Sequence, residues 1–169
     1  LTRTIIRIIL NIIESLQFLP ENVKFLILGQ GYQETILKGK VERLGLEKRV
    51  QFLGYVSHKD MPQYLHISDI FIRPSLSEGF GNSFIEAMAA RIPVIATPVG
   101  GIVDFLKDGE TGLLCEVNNP KSIAQKVEKL IQDKESRDYI VNNAERMVKE
   151  KYQWGKIAGE MRKIFQGIK

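Results

Sequence analysis

The sequence predicts an α/β domain in which a Rossmann-like, doubly wound parallel sheet carries helices on both faces. Short apolar runs alternate with segments of helical spacing along most of the 169 residues. These runs are apolar on both faces, as the strands of a covered parallel sheet are. A composition of 44% hydrophobic and 26% charged residues is typical of one globular domain with a full core.

The first half of the chain shows this alternation clearly. Residues 4–19 carry a broad apolar stripe, which predicts a helix packed on a sheet. The run 23–29 is short and apolar and ends in glycine, so it predicts a buried strand. Residues 32–46 have helical spacing, and 50–56 predict the next strand. The segment 59–68 predicts a short helix, because its proline falls in the first turn, where proline is tolerated.

The middle of the chain repeats the same pattern with shorter elements. Residues 69–75 predict a strand that ends just after a proline, and 83–92 predict an alanine-rich helix. The run 93–99 predicts another strand, and a double glycine then opens a short helix over 101–109. Residues 111–117 predict the last strand.

The C-terminal region is predicted to be helical. Residues 120–132 begin with proline at the first helical position, and 135–152 and 154–166 form a helical tail. No repeat or linker interrupts residues 1–169, so one domain is predicted. A doubly wound domain normally begins on a strand, whereas this sequence begins on a helix. We therefore expect a first strand before Leu1, in a longer protein from which this piece comes.

The charge of the chain is only mildly basic. Twenty-four basic residues against twenty acidic ones give a net charge of +4 and a pI of about 9.1. This excess is spread along the chain and suits an anionic ligand or a membrane-facing surface. It is not the concentrated basic patch of a nucleic-acid-binding protein, so no nucleic-acid partner is expected.

The rarer residues exclude several kinds of site. The single cysteine, Cys115, rules out an internal disulfide framework, and its apolar surroundings predict a buried structural thiol. His58 and His66 lack metal-binding spacing, so surface or core-edge positions are expected and no metal or other cofactor is predicted. Arg3 and Arg7 interrupt the apolar N-terminal run, and no transmembrane helix or signal peptide is visible. These features fit a reducing, cytoplasmic setting.

The loops that follow the strands are the expected ligand sites. In open α/β sheets, ligands bind beyond the carboxyl ends of the strands, where helix N-termini favour phosphate. The loops in question are 29–31, 54–61, 74–83 and 97–102, and three of the four are rich in glycine. The first does not fit the dinucleotide fingerprint G-x-G-x-x-G, because Glu34 stands where its last glycine should be. An NAD-dependent dehydrogenase is therefore disfavoured.

The loop 74–83 also introduces two carboxylates, Glu78 and Glu86. Each glutamate follows a serine by three residues, Ser75 and Ser83 respectively, which is the pattern of a helix capping box. A pair of carboxylates also suits the acid and base of a glycosidase. Glycine loops suited to phosphate have no use in such a hydrolase, so a ligand-binding role is favoured, and it is compatible with a cap at Ser83.

An ordered series of motifs carries a resemblance to a known family. The motifs are PSLSEGFG (74–81), EAMA (86–89), PVIATPVGG (93–101) and DGETGLL (108–114). In this order they closely resemble the C-terminal, donor-binding half of the group 1 glycosyltransferases. These are retaining enzymes of the two-Rossmann-domain architecture, numbered family four. The last helix, with Trp154 at its start, also resembles the family's closing helix.

The resemblance implies roles for individual residues. Glu78 is implied as the catalytic-site carboxylate that hydrogen-bonds the donor sugar, and Glu86 as the acceptor for the ribose hydroxyls. Tyr55 and Val56 match the segment that lies along the nucleotide base. The residues implied to contact the donor sugar or its phosphates are Phe80, Gly81, Asn82, Ser83, Gly29, Gly31, Gly100 and Gly101. Phe80 has a second interpretation, since its ring can equally serve to pack the loop.

The implied function is binding of a nucleoside-diphosphate sugar and transfer of its glycosyl group, with retention of configuration, to a carbohydrate or lipid-linked acceptor. The acceptor would be bound by an N-terminal domain that this sequence lacks, so the isolated domain is expected to be inactive. The family needs no metal. A non-catalytic nucleotide-sugar-binding module and a nucleotide-sugar epimerase on the same fold stay open as alternatives. Peripheral attachment to the inner face of the membrane is compatible with the charge.

The chain departs from the family pattern at three points, of which the mildest is Asp104, where the family often has glutamate. The family usually has glycine where this chain has Arg91, and arginine should cost little there if the turn is not left-handed. It would then be free to contact a partner surface. The family's diphosphate-binding arginine and lysine belong to its first strand and first helix. No matching element is found here, and Arg3 is merely the nearest cation.

Overall fold

The computed structural model describes residues 2–167, with side chains from residue 8 onward. Arg3, the nearest candidate for a diphosphate-binding cation, therefore lies outside the described side chains. Helices and strands alternate as predicted from the start of the chain to the last strand, and three helices follow. No helix in the described part of the chain is both long and apolar enough to span a membrane.

The bounds of the elements are as follows. The strands are β1 (Phe25–Leu28), β2 (Val50–Gly54), β3 (Phe71–Ile72), β4 (Val94–Ala96) and β5 (Leu113–Leu114). The helices are α1 (Thr2–Ser15), α2 (Glu34–Arg43), α3 (Met61–His66), α4 (Asn82–Ala89), α5 (Ile102–Phe105), α6 (Pro120–Gln132), α7 (Lys134–Lys151) and α8 (Trp154–Gly167). A short 3₁₀ turn over Leu16–Phe18 follows α1. The strands are shorter than predicted; β3 and β4, for example, stop before Pro74 and Pro98.

All strand pairs are parallel, but the described strands form two sheets. Strand β1 pairs with β2, with Phe25 opposite Val50 and a register shift after Ile27. The other sheet has the order β3-β4-β5, with β4 in the centre. The sequence predicted one sheet, whereas the structure has a two-stranded sheet and a three-stranded sheet. The all-apolar residues of β1 and β3 are only partly buried, whereas those of β4 are fully buried.

The core lies on both sides of the sheets, which confirms the prediction of helices on two faces. Ile95 of β4 belongs to a cluster with residues of α1, α2 and α6. Its neighbours Val94 and Ala96 belong to a second cluster with residues of α4, α5 and α7. Successive residues of a strand point to opposite faces, so β4 contributes to both cores, as do β3 and β5. Cys115 is buried beside this strand; its Sγ lies 3.3 Å from the Ala96 carbonyl oxygen, and burial raises the pKa of the thiol to about 11. The prediction of a structural thiol is confirmed.

The last helix packs differently from the other long helices. Helix α8 has no buried residue, although it carries several large apolar side chains. Trp154, the only tryptophan of the chain, has 83% of its surface exposed. The exposed apolar residues of α8 are Trp154, Met161, Ile164 and Phe165. The helical tail is confirmed, and in this structure its apolar side chains remain in contact with solvent.

Arg49 connects the first helical region to the first sheet through its guanidinium. Its Nη1 donates to the Leu16 carbonyl at 2.8 Å, and its Nη2 donates to those of Pro20 at 2.8 Å and Leu19 at 3.3 Å. Its Nε donates to the Val23 carbonyl at 3.0 Å. One planar group thus satisfies four carbonyls of the segment between α1 and β1.

We expect Arg49→Met to lower the free energy of unfolding by about 3 kcal/mol, because it removes the four hydrogen bonds and leaves the Leu19 and Val23 carbonyls without a donor. Arg49→Lys should cost less, since an ammonium keeps the charge but lacks the fork geometry. Urea unfolding followed by circular dichroism measures both. Arg43→Met is the control, because the Arg43 Nε donates only to the exposed Gly39 carbonyl of its own helix. Equal losses at the two positions would contradict this role for Arg49.

Arg91 corrects one expectation from the sequence. Its φ is +62°, so the turn after α4 is left-handed, and arginine there carries the backbone cost that a glycine avoids. Its side chain binds α7: Nη1 pairs with the Glu145 carboxylate, and Nη2 donates to Asn142 Oδ1 at 3.0 Å. A hydrogen bond from Lys149, followed by the charge of Arg91, lowers the pKa of Glu145. The strained turn is thus offset by a link between α4 and α7.

The two substitutions Arg91→Ala and Arg91→Gly separate backbone strain from side-chain pairing. Both lose the contacts to α7, but only glycine relieves the left-handed backbone. We therefore expect the glycine variant to be more stable than the alanine variant by about 1 kcal/mol. The midpoints of urea unfolding provide the measurement. An alanine variant as stable as the glycine variant would show that the turn is not strained.

Candidate functional site

The loops after β3 and β4 cross in direct contact at the carboxyl edge of the sheet. The amide of Gly101 donates to the carbonyls of Gly79 at 3.0 Å and Glu78 at 3.2 Å. A Cβ atom on Gly100 would overlap the Glu78 carbonyl oxygen, and one on Gly101 would overlap that of Gly79. The double glycine therefore lets one backbone lie on the other. Because the Gly101 amide is used in this contact, the geometry assigns the pair a supporting role. The predicted contact of these glycines with the donor stays a prediction.

The Thr97 side chain joins the same two strand ends below this crossing by binding the backbone of Ser75. The amide of Ser75 donates to the Thr97 hydroxyl at 2.8 Å, and this hydroxyl donates to the Ser75 carbonyl at 2.5 Å. Both residues are buried. The start of the loop that carries Glu78 is therefore fixed to the end of β4 by both backbone and side-chain contacts.

Helix α4 begins at a left-handed glycine. Gly81 is its N-cap with φ of +75°, and no side chain caps the helix. The predicted capping box with Ser83 at the cap is therefore wrong, because Ser83 is already the second helical residue. The predicted box at Ser75 is also wrong, because no helix begins there. The first amides of α4, including that of Asn82, lack intrahelical partners, and this end of the helix favours negative charge.

Glu78 is held at this helix start by Arg73, which the sequence analysis did not single out. The Glu78 side chain is only 16% exposed, and its Oε2 lies 3.0 Å from Arg73 Nη2. Arg73 Nη1 also donates to the Ser83 hydroxyl at 2.8 Å. The structure thus brings together two of the predicted site residues, Glu78 and Ser83, through a third. A cation at the end of a strand leading into a predicted site was the available signal.

Glu86 lies one turn into α4 and approaches a different loop. Its Oε1 is 3.9 Å from Nε2 of His58, in the loop that follows β2. The predicted base-side residues Tyr55 and Val56 belong to the same loop, and Tyr55 is exposed. His58 is exposed as expected. Helix α4 therefore presents one glutamate near the loop after β2, while the other glutamate precedes it in the loop after β3.

The first glycine turn lies at the carboxyl ends of β1 and β2. The amide of Gly29 donates to the Gly54 carbonyl at 2.7 Å, which closes the end of this sheet. Beside it lies an open groove of about 660 Å³. Its lining residues are Gln30, Gly31, Tyr32, Glu34, Phe52, Leu53 and Gly54. The groove contains Gly31 and lies where the sheet topology predicts a ligand.

Phe80 packs the loop onto the second core. Its ring centroid lies 5.4 Å from that of Phe105 and 5.3 Å from that of Tyr152, and 39% of the residue is exposed. Burial, with a smaller contribution from Asp104, raises the pKa of Tyr152. Of the two interpretations of Phe80, the packing role is thus observed. A role for its exposed part in a pocket stays a prediction.

The described residues include no group of three or more histidine, cysteine, aspartate or glutamate side chains placed to hold a metal ion. Glu78 and Glu86 are each paired with a cationic or imidazole side chain instead.

The crossing of the two loops generates a prediction about stability. We expect Gly101→Ala to lower the free energy of unfolding by about 3 kcal/mol, because a methyl group there must push the loops apart. Gly79→Ala is the matched control in the same contact, because a Cβ on Gly79 meets nothing within 4 Å. Thermal or urea unfolding measures both variants. A Gly101→Ala protein as stable as the control would contradict the close crossing.

Comparison with known proteins now identifies the family. The model for glycosyl transferases group 1 matches residues 8–147. An uncharacterised glycosyltransferase of Methanocaldococcus jannaschii is 37% identical over 145 residues, which cover 86% of this chain and 37% of the relative. The N-acetyl-alpha-D-glucosaminyl L-malate synthase of Bacillus anthracis is 32% identical over 147 residues, which cover 87% of this chain and 38% of the relative. The chain thus spans well under half the length of these relatives.

Solved structures give the same result. The chain matches Anabaena HepE in complex with UDP-glucose with a TM-score of 0.86 and 27% identity, over 94% of this chain and 44% of that one. It matches the C-terminal domain of the group 1 glycosyl transferase LpcC from Francisella tularensis with a TM-score of 0.75 and 31% identity, over 88% and 78% of the two chains. The chain therefore belongs to the group 1 glycosyltransferases, and it has the Rossmann-like fold of their C-terminal domain.

Proposed function

We propose that this domain binds a nucleoside-diphosphate sugar at the carboxyl edge of its sheets and that the full-length protein transfers the glycosyl group to an acceptor. One observation carries the proposal. The start of α4 lies between two glutamates, of which Glu78 is fixed in the loop before the helix and Glu86 approaches the loop after β2. A ligand with two hydroxyl-bearing ends and an anionic centre matches this arrangement.

The chemistry of each end follows from the groups present. Ionised carboxylates accept strong hydrogen bonds from hydroxyl groups. In this proposal Glu78 accepts from the donor sugar, and Glu86 accepts from the ribose, with Tyr55 and Val56 along the base. The diphosphate lies at the first turn of α4, where Gly81, Asn82 and Ser83 provide the backbone amides of a helix N-terminus.

The nucleotide proposed is uridine diphosphate. HepE was solved in complexes with UDP and with UDP-glucose, and a TarM structure of Staphylococcus aureus also contains UDP. These structures share the fold with the present chain at 26% to 27% identity. They support uridine nucleotides as the first donors to test, with the sugar left open.

Transfer with retention is proposed to take place on the front face of the sugar. The bond from the anomeric carbon to the phosphate oxygen breaks, and the acceptor oxygen bonds to the same face of that carbon. The departing phosphate takes the acceptor proton, so no enzyme nucleophile is required. The charge that develops on the phosphate is stabilised by the helix N-terminus and the loop amides.

The acceptor, whether a carbohydrate or a lipid-linked molecule, is proposed to bind a second domain outside this sequence. The prediction of a first strand before Leu1 is supported by the division of the strands into two sheets and by the half-buried apolar residues of β1 and β3. Peripheral membrane contact is supported by the net charge of +4. A cytoplasmic location stays a prediction.

A binding experiment with this chain tests the proposal. We expect UDP to raise the melting temperature in proportion to the logarithm of its concentration, more than GDP or ADP does. Glu86→Gln should weaken UDP binding about tenfold, because it removes a charged acceptor for the ribose hydroxyls. Glu135→Gln, at an exposed position at the start of α7, is the matched control. No shift with any of the three nucleotides at millimolar concentration would contradict the proposal.

The alternatives are separated by the products of the full-length protein. A transferase produces a glycosylated acceptor and UDP, whereas an epimerase incubated with UDP-sugar alone produces its epimer. A protein that binds the donor but gives neither product is a binding module.

A further inference from the structure

Arg73 connects three parts of the proposed donor site. It follows β3 directly, its Nη2 lies 3.0 Å from Glu78 Oε2, and its Nη1 donates to the Ser83 hydroxyl at 2.8 Å. Its guanidinium carbon lies 5.8 Å from the centroid of the Phe84 ring. The end of a strand, the loop after it and the first turn of α4 thus meet at one side chain.

The Glu78 side chain is mostly shielded from solvent, which gives its contact with Arg73 structural importance. Only 16% of this side chain is exposed. Removing a carboxylate from water costs free energy unless a partner compensates for its lost hydration. Among the described side chains, Arg73 is the cation within ion-pairing distance of Glu78. The contact occupies Oε2, and a carboxylate accepts through both oxygens, so Oε1 is left for a ligand hydroxyl.

The second contact orients the Ser83 hydroxyl. Because this oxygen accepts from Arg73, its own hydrogen is left to donate to an acceptor. The guanidinium has five N–H groups, and the two contacts use two of them.

We propose that Arg73 is a positioning residue that holds the Glu78 carboxylate aimed at the donor sugar. This inference rests on the proposed function, because it requires Glu78 to contact the sugar. Arg73 acts through Glu78, so removing the Arg73 side chain should reduce the amount by which the sugar increases affinity. That contribution is the ratio between the affinities for a UDP-sugar and for UDP.

The test is calorimetric titration of this chain with UDP, UDP-glucose and UDP-N-acetylglucosamine. For the UDP-sugar that wild type binds most tightly, we expect Arg73→Met to weaken binding at least tenfold. UDP binding should change about threefold or less. Arg73→Lys, which keeps the charge but contacts one partner at a time, should recover part of the loss. Urea unfolding of each variant shows that the variant is folded under the titration conditions.

A double-mutant cycle then distinguishes positioning from general stabilisation. Glu78→Gln alone should lower the sugar contribution. Adding Arg73→Met should lower it little further, because both substitutions disrupt the same Arg73–Glu78 pair. Full additivity of the two effects, or an equal loss for UDP and UDP-sugar, would overturn the role of Arg73. Should wild type bind none of the three ligands, the proposed function itself fails. If wild type binds normally and Arg73→Met leaves the ratio of UDP-sugar to UDP affinity unchanged, only the role of Arg73 is contradicted.

Discussion

The contact between two backbones, Gly100–Gly101 and Glu78–Gly79, is the constraint on which the candidate site depends. The strands β3 and β4 are neighbours, so the loops that leave them must share one edge of the sheet. They share it by direct contact, and the Gly101 amide binds the carbonyls of the opposite loop. The position of Glu78 is therefore fixed by the backbone as well as by its side-chain pair with Arg73. A residue with a Cβ atom at either glycine would displace the carboxylate together with the start of α4.

The fold could be predicted well because its signal is distributed over many residues. Every strand is an apolar run bounded by glycine, proline or a turn, and every helix has a separate apolar stripe. The division into two sheets could not be predicted, since β1 and β3 are as apolar as central strands, and their partial burial appears only in three dimensions. The bounds of the short strands depend on hydrogen bonds that composition does not determine.

The candidate site could be predicted less completely than the fold. The glycine-rich loops after the strands predicted where the site lies. The prediction of a cap at Ser83 was wrong, because the N-cap is the left-handed Gly81, two residues before Ser83. Arg73 gave only a weak signal, since a single arginine at a strand end looks like ordinary surface charge, and Arg49 belongs to no motif. Arg91 could be identified as unusual, but the left-handed turn and its contacts with α7 required the structure. Single side chains that bridge distant segments are thus the part that sequence patterns miss.

The exposed start of α8 determines what the chain's fluorescence reports. Trp154 is the only tryptophan, and it lies in solvent rather than in either core. Its emission is therefore that of a hydrated indole in the native state, and loss of the core changes its surroundings little. The same residue becomes a built-in optical probe for any surface that covers the tail, because such contact would remove water from the ring.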